Sequence, residues 1–146
     1  MGGCCGNHFF SIPWSDLTGA VEETIARKNL LACLIALFCF GDLIEGKHVK
    51  LHTNNENTFH WLLKGRSSSV TGTKYLALWE GCKYKRECKI SPKWIPSEAN
   101  RTADALSRGK MPEWLKRRGS RRRLSSKARK LFTLSPMATW QRIVNG

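Results

Sequence analysis

The chain has 146 residues, 41% of them apolar, and a formal net charge of +14. That is enough for one domain of ordinary size with its own core. The charge is uneven: residues 1–104 carry 13 Lys+Arg against 10 Asp+Glu, whereas residues 105–146 carry 12 against the single acid Glu113. A nearly balanced body is thus followed by a basic end, which implies a polyanionic partner.

The opening Met1-Gly-Gly-Cys-Cys-Gly6 has neither a positive leader nor a long apolar stretch, so it is not a secretory signal. Gly6 stands where a myristoylation signal carries Ser or Thr. Asn7 to Trp14 is aromatic and β-favouring and is ended by Pro13, which predicts a strand leading into a turn. Thr18 to Ile44 predicts a long helix with a broad apolar face through Leu30, Leu34 and Leu37. Its uninterrupted apolar run, Leu30 to Phe40, is shorter than the about 20 residues a bilayer requires, so the sequence predicts a core helix and no membrane span.

His48 to Thr53 alternates polar residues with Val49 and Leu51 and predicts a strand. A helix through Phe59, Trp61 and Leu62 follows and stops near Gly65. Ser67 to Thr73 reads as a polar loop, Thr73 to Tyr84 as a helix, and Cys88 to Trp94 as a strand, with Trp61, Trp79 and Trp94 mostly in the core. The order gives α/β patterning around a central mixed sheet. None of the six cysteines forms a Cys-x-x-Cys pair, so no zinc signature is present, and a reducing intracellular compartment, nucleus or cytoplasm, is expected.

The most distinctive stretch is Trp94-Ile-Pro-Ser-Glu-Ala-Asn-Arg-Thr-Ala-Asp104-Ala-Leu-Ser-Arg108. Pro96 holds its beginning extended, Ser97 reads as an N-cap with Glu98 in the first turn, and Gly109 ends a helix carrying Asp104. The run resembles the closing segment of RNase H-like domains in retroelement reverse transcriptases, of the form W-I-P-S-x-x-N-x-x-A-D-x-L-S-R. Residues 94–97, Asn100, Ala103, Asp104 and 106–108 match at fixed offsets.

The resemblance covers residues 7–109. It implies an RNase H-like mixed sheet flanked by helices, missing its first strand or strands, from a Pol protein of the DIRS-like or a related class. The implied activity is cleavage of the RNA strand of an RNA–DNA hybrid by four carboxylates around two Mg²⁺ ions, beside a reverse transcriptase portion. Here three of the four are missing. The first Asp would lie before Met1. The family Glu position, in an E-L-L-A stretch, is Asn29, and the second Asp, of a T-D-N turn, is Asn54. Asp104 alone is kept, so Mg²⁺ is expected to bind weakly at most. Glu22, Glu23 and Glu56 are not positioned to substitute.

Residues 110–146 are expected to form a basic helical or disordered tail. Its candidate nucleic-acid contacts are Lys116, Arg117, Arg118, Arg121, Arg122 and Arg123, continued by Lys127, Arg129 and Lys130. In the body the candidates are Arg66, Ser67 and Ser68, able to donate to phosphates, and Arg101. The sequence therefore points to a degenerate domain that binds nucleic acid with little or no nuclease activity. The alternatives are an active metal-dependent ribonuclease H and a non-enzymatic basic interaction module.

Overall fold

The computed structural model describes residues 1–16 and 25–126. The chain opens with a hairpin, β1 (Gly2–Cys5) against β2 (His8–Ser11), antiparallel with Cys5 opposite His8. The two-residue loop is possible because Gly6 takes a positive φ of 60°, which a side chain would resist. A 3₁₀ turn (Trp14–Asp16) leads towards α1 (Ile25–Ile44). The predicted start of that helix at Thr18, with Glu22 and Glu23, lies outside the described residues.

β3 (His48–Thr53) follows within its predicted bounds. α2 (Glu56–Lys64) is capped by Asn55, whose Oδ1 accepts from the Thr58 amide at 2.8 Å, and ends at Gly65 with φ 73°. α3 (Val70–Arg86) begins inside the predicted loop, because the Ser69 hydroxyl caps it by accepting from the Gly72 amide at 3.0 Å. β4 (Lys89–Trp94) returns parallel to β3; a parallel pair needs a crossover, here supplied by α2 and α3.

The predicted helix through Ser97 is split. Ser97–Ala99 form a 3₁₀ turn with no side-chain cap, Asn100 breaks from helical geometry at φ −111° and ψ 31°, and α4 covers only Arg101–Ser107. Gly109 ends it with φ 74°, as expected.

Two further features depart from the sequence reading. The central sheet is divided in two: β1, β2 and a short β5 (Ser120–Arg121) form a mixed three-stranded sheet, and β3 and β4 form a separate parallel pair. The boundary expected at Gly109 does not release a tail either. α5 (Glu113–Arg118) and β5 return to the body, burying Leu115 to 1% and Leu124 to 6% exposure. The N-terminal limit at Asn7 likewise moves to Met1, which is buried. Residues 127–146, with Lys127, Arg129 and Lys130, lie outside the described residues.

The main core joins α1 to α3 and to one face of each sheet. Leu30, Leu34 and Ile35 are fully buried, Trp79 sits beside them, and Phe10 of β2 packs on Phe40 with ring centroids 5.6 Å apart. Trp61 is partly buried on that core, but Trp94 is 44% exposed. A second cluster, Phe9, Leu106 and Leu115 with Met111 against it, fastens α4 and α5 to the opposite face of β2. Among the described residues no helix is long and apolar enough to cross a membrane.

Candidate functional site

A cleft of about 680 Å³ separates the two sheets. Gly2–Gly6 form one wall and Val49–Asn54 the other. α1 lies beneath, and Asn29, Ala32, Cys33, Ala36, Leu37 and Phe40 line the floor at helical spacing, one stripe of one face. Ile95 and residues 98–103 close one end.

Asn29 and Asn54 thus come from distant parts of the sequence to the same cleft. Asn29 Nδ2 donates to the Ile25 carbonyl one turn back at 2.9 Å. Asn54 Nδ2 donates to Ser97 Oγ at 3.3 Å, and its backbone carbonyl accepts from Trp94 Nε1 at 3.3 Å. This second bond holds the exposed Trp94 ring against Asn54, outside the core. Asp104 lies one residue beyond the lining stretch of α4; its side chain is 41% exposed and pairs with Arg108, Oδ2 to Nη2, at 3.4 Å.

These residues do not fit the two-Mg²⁺ site that the resemblance implies. Hard Mg²⁺ favours charged oxygens in near-octahedral order. Here two positions offer neutral amide oxygens and the remaining carboxylate already faces a guanidinium. Among the described residues no group of three His, Cys, Asp or Glu is placed to hold a metal ion. Glu98, expected from the sequence as a first-turn acid, lines the cleft as well; its position in the Pro-Ser-Glu turn is the sequence signal for this.

The candidate nucleic-acid residues separate by what already engages them. Arg66 and Ser68 are exposed, but Ser67 Oγ donates to the Ser69 carbonyl at 2.8 Å and accepts the Ser69 amide at 3.1 Å, so it shapes the turn. Arg101 is exposed at the end of the cleft. Lys116, Arg117 and Arg118 are exposed on α5, with Lys116 reaching Glu113 at 3.0 Å. Arg121 lies over the Phe9 ring at 5.1 Å. Arg122 is committed to the fold: it grips Asp42 through Nη1 at 2.8 and 3.1 Å and donates from Nε to His8 Nδ1 at 3.3 Å. Those hydrogen bonds hold the Asp42 carboxyl below its usual value. Arg123 is exposed.

A further basic surface escaped the sequence reading. Val49, Leu51 and Ile90 turn towards the core, so the alternate residues share the opposite face. There His48 stands beside Lys89, Lys50 beside Ser91 and His52 beside Lys93. All but Ser91 are exposed, and no acid stands among the six. The signal was a polar residue at every second position of both strands, which only their pairing turns into one patch. Three of the cysteines are chemically quiet by comparison: burial pushes Cys33 up to about 12 and Cys39 and Cys82 to about 11. Comparison of the chain with protein-family models, curated proteins and solved structures returns no match.

Proposed function

We propose that the chain is a degenerate RNase H-like domain of the retroelement type, which binds an RNA–DNA hybrid or a related polyanion with little or no hydrolysis. The observation that carries the reading is the convergence of Asn29 and Asn54 on one cleft, closed at its end by residues just before Asp104. These are the positions at which the resembling motifs set carboxylates, and amides stand at two of them. Mg²⁺, where a carboxylate site holds it, activates water and stabilises the leaving oxygen. This donor set instead leaves a surface of fixed positive charge beside the cleft, Lys50, Lys89 and Lys93 with Arg101.

Such a surface binds through phosphates, releases counterions and reads little sequence. The test is anisotropy with a labelled RNA–DNA hybrid, a duplex DNA and a single strand, each titrated across salt. Affinity is expected to fall by a log–log slope of about 0.7–0.9 per phosphate contact. Lys50→Glu with Lys89→Glu and Lys93→Glu should flatten that slope, and no cleavage should follow on adding Mg²⁺ or Mn²⁺. Turnover of the hybrid that Asp104→Ala abolishes would overturn the reading, as would binding indifferent to salt.

A further inference from the structure

The segment that returns to the body after α5 carries a second pattern within its charge. Two adjacent arginines stand three and two residues before a serine twice in the sequence, as Arg117-Arg118-Gly119-Ser120 and as Arg122-Arg123-Leu124-Ser125. No acid occurs between Lys116 and Ser126, and Ser126 has only Arg123 at those offsets. The structure separates the two copies. In the first, both arginines belong to α5, the Gly119 amide donates back to the Leu115 carbonyl at 2.7 Å, and Ser120 is a strand residue whose amide donates to the Asn7 carbonyl at 2.8 Å. Presenting that copy as an extended chain would unwind the helix and strip β5 from β2. In the second, residues 122–125 follow β5 with neither helix nor strand geometry. Arg123 and Ser125 are exposed, whereas Arg122 turns to Asp42 and Leu124 is buried in the main core.

We propose that Ser125 is a phosphorylation site for an arginine-directed serine kinase, and that the contact between Arg122 and Asp42 gates it. Such a kinase holds its substrate extended and receives guanidiniums at these two offsets in pockets lined by carboxylates, which match the planar fork of arginine. Arg123 is available in the folded protein. Arg122 is not, since Asp42 already supplies the carboxylate that a kinase would offer. That contact exchanges readily: the Asp42 side chain is 62% exposed, and pairs so open to water are weak. In the transfer, Ser125 Oγ forms an ester bond to the γ-phosphorus of ATP. The γ-phosphorus loses its bond to the β–γ bridging oxygen, ADP leaves, and the hydroxyl proton passes to the aspartate of the kinase. The phosphoserine brings a charge of about −1.5 to −2 and three acceptor oxygens beside Arg122 and Arg123. It thereby replaces Asp42 as the partner of Arg122 and loosens the segment from α1. The inference does not depend on the nucleic-acid reading.

The test incubates the full chain with the catalytic subunit of cyclic-AMP-dependent kinase and ATP, reading the site by fragmentation mass spectrometry and the rate by label transfer. Phosphate on Ser125 is expected, with Ser120 at least about tenfold slower. Arg123→Ala should lower kcat/KM at least about tenfold, and Asp42→Asn, which frees Arg122, should raise it about threefold, through KM. In the phosphorylated chain the Arg122 amide, bonded to the Phe9 carbonyl at 2.7 Å, should exchange its hydrogen faster than in the unmodified one. Site mapping needs no variant. A misfolded Arg123→Ala chain would expose the segment and be modified faster, so a slower rate there reports recognition. Phosphate mainly on Ser120 or Ser126, or none on Ser125, would overturn the site. An Asp42→Asn chain modified no faster than the parent, or unchanged exchange at Arg122 after phosphorylation, would overturn the gate.

Discussion

Replacing Leu115 by alanine asks whether the basic segment after Gly109 belongs to the folded body. Leu115 is 1% exposed and packs with Phe9 and Leu106 in a cluster flanked by Met111. The change removes three carbons, about 0.8 kcal/mol each, and leaves a cavity whose cost brings buried Leu→Ala changes to about 2–5 kcal/mol. This cluster is small and Met111 is flexible enough to fill part of the gap, so the lower end, about 2–3 kcal/mol, is expected. With a urea m-value of about 1.5 kcal/mol/M, the unfolding midpoint should drop by about 1.3–2 M. The control is Arg117→Ala on the exposed side of the same helix, which should stay within about 0.5 kcal/mol of the parent. Equal midpoints for the two variants would mean that α5 does not pack as described. The result also decides how binding is dissected: a deletion from Lys110 onwards would remove Leu115, Leu124 and the Arg122 grip on Asp42, and would confuse unfolding with lost affinity.

Leu34→Ala, at a fully buried position on α1, should cost about 2–5 kcal/mol, read as a fall in melting temperature; an unchanged melting temperature would contradict the packing of α1 beneath the sheets. Stability should fall as pH rises above 9.0, the ordinary thiol value. Unfolded thiols ionise there while Cys33 stays protonated to about 12 and Cys39 and Cys82 to about 11, so the native state binds more protons. Urea midpoints on either side of that value measure the loss, and Cys39→Ala with Cys82→Ala should shrink it. At the acid end, stability linked to Asp42 should be present above its ordinary 3.8 and lost as pH falls below that value; Arg122→Gln should remove this dependence.

What the sequence made legible followed from strong local signals. β3 shows strict alternation, and α2 carries a capping Asn55 and a closing Gly65, so both emerge close to their expected bounds. Asn29 and Asn54 line one cleft, but only the resemblance singles them out in the sequence. The segment from Met111 to Leu124 was illegible because its apolar residues stand singly among many Lys and Arg. Leu115 and Leu124 become core only once Phe9 and the main cluster lie opposite them. β5 is two residues long and exists as a strand only by pairing with β2. Arg122 reads as one more tail cation, yet its partner Asp42 is 80 residues away. Ser97 has the right residue type for a cap, but Asn100 breaks the backbone, and the helix begins after it.

On the proposed reading, amides in place of carboxylates and affinity for phosphate are linked by charge. A cluster of acids repels a phosphate backbone unless cations neutralise it, whereas amides leave Arg101 and Lys50 opposed mainly by Glu98 around the cleft. Substituting Asn29→Glu and Asn54→Asp together adds two negative charges at the cleft. A unit charge pair at 4 Å in water-like surroundings is worth about 1 kcal/mol, or about fivefold in affinity. The double variant should therefore bind the hybrid about five- to twentyfold more weakly in the presence of a chelator. Mg²⁺ should restore part of that loss by screening the pair, still without cleavage, since Asp104 stays turned to Arg108. Anisotropy in chelator and in Mg²⁺, with gel analysis of the same samples, separates the two effects. Unchanged affinity in chelator would mean that the phosphates do not pass near Asn29 and Asn54, and that the basic sheet face binds on its own.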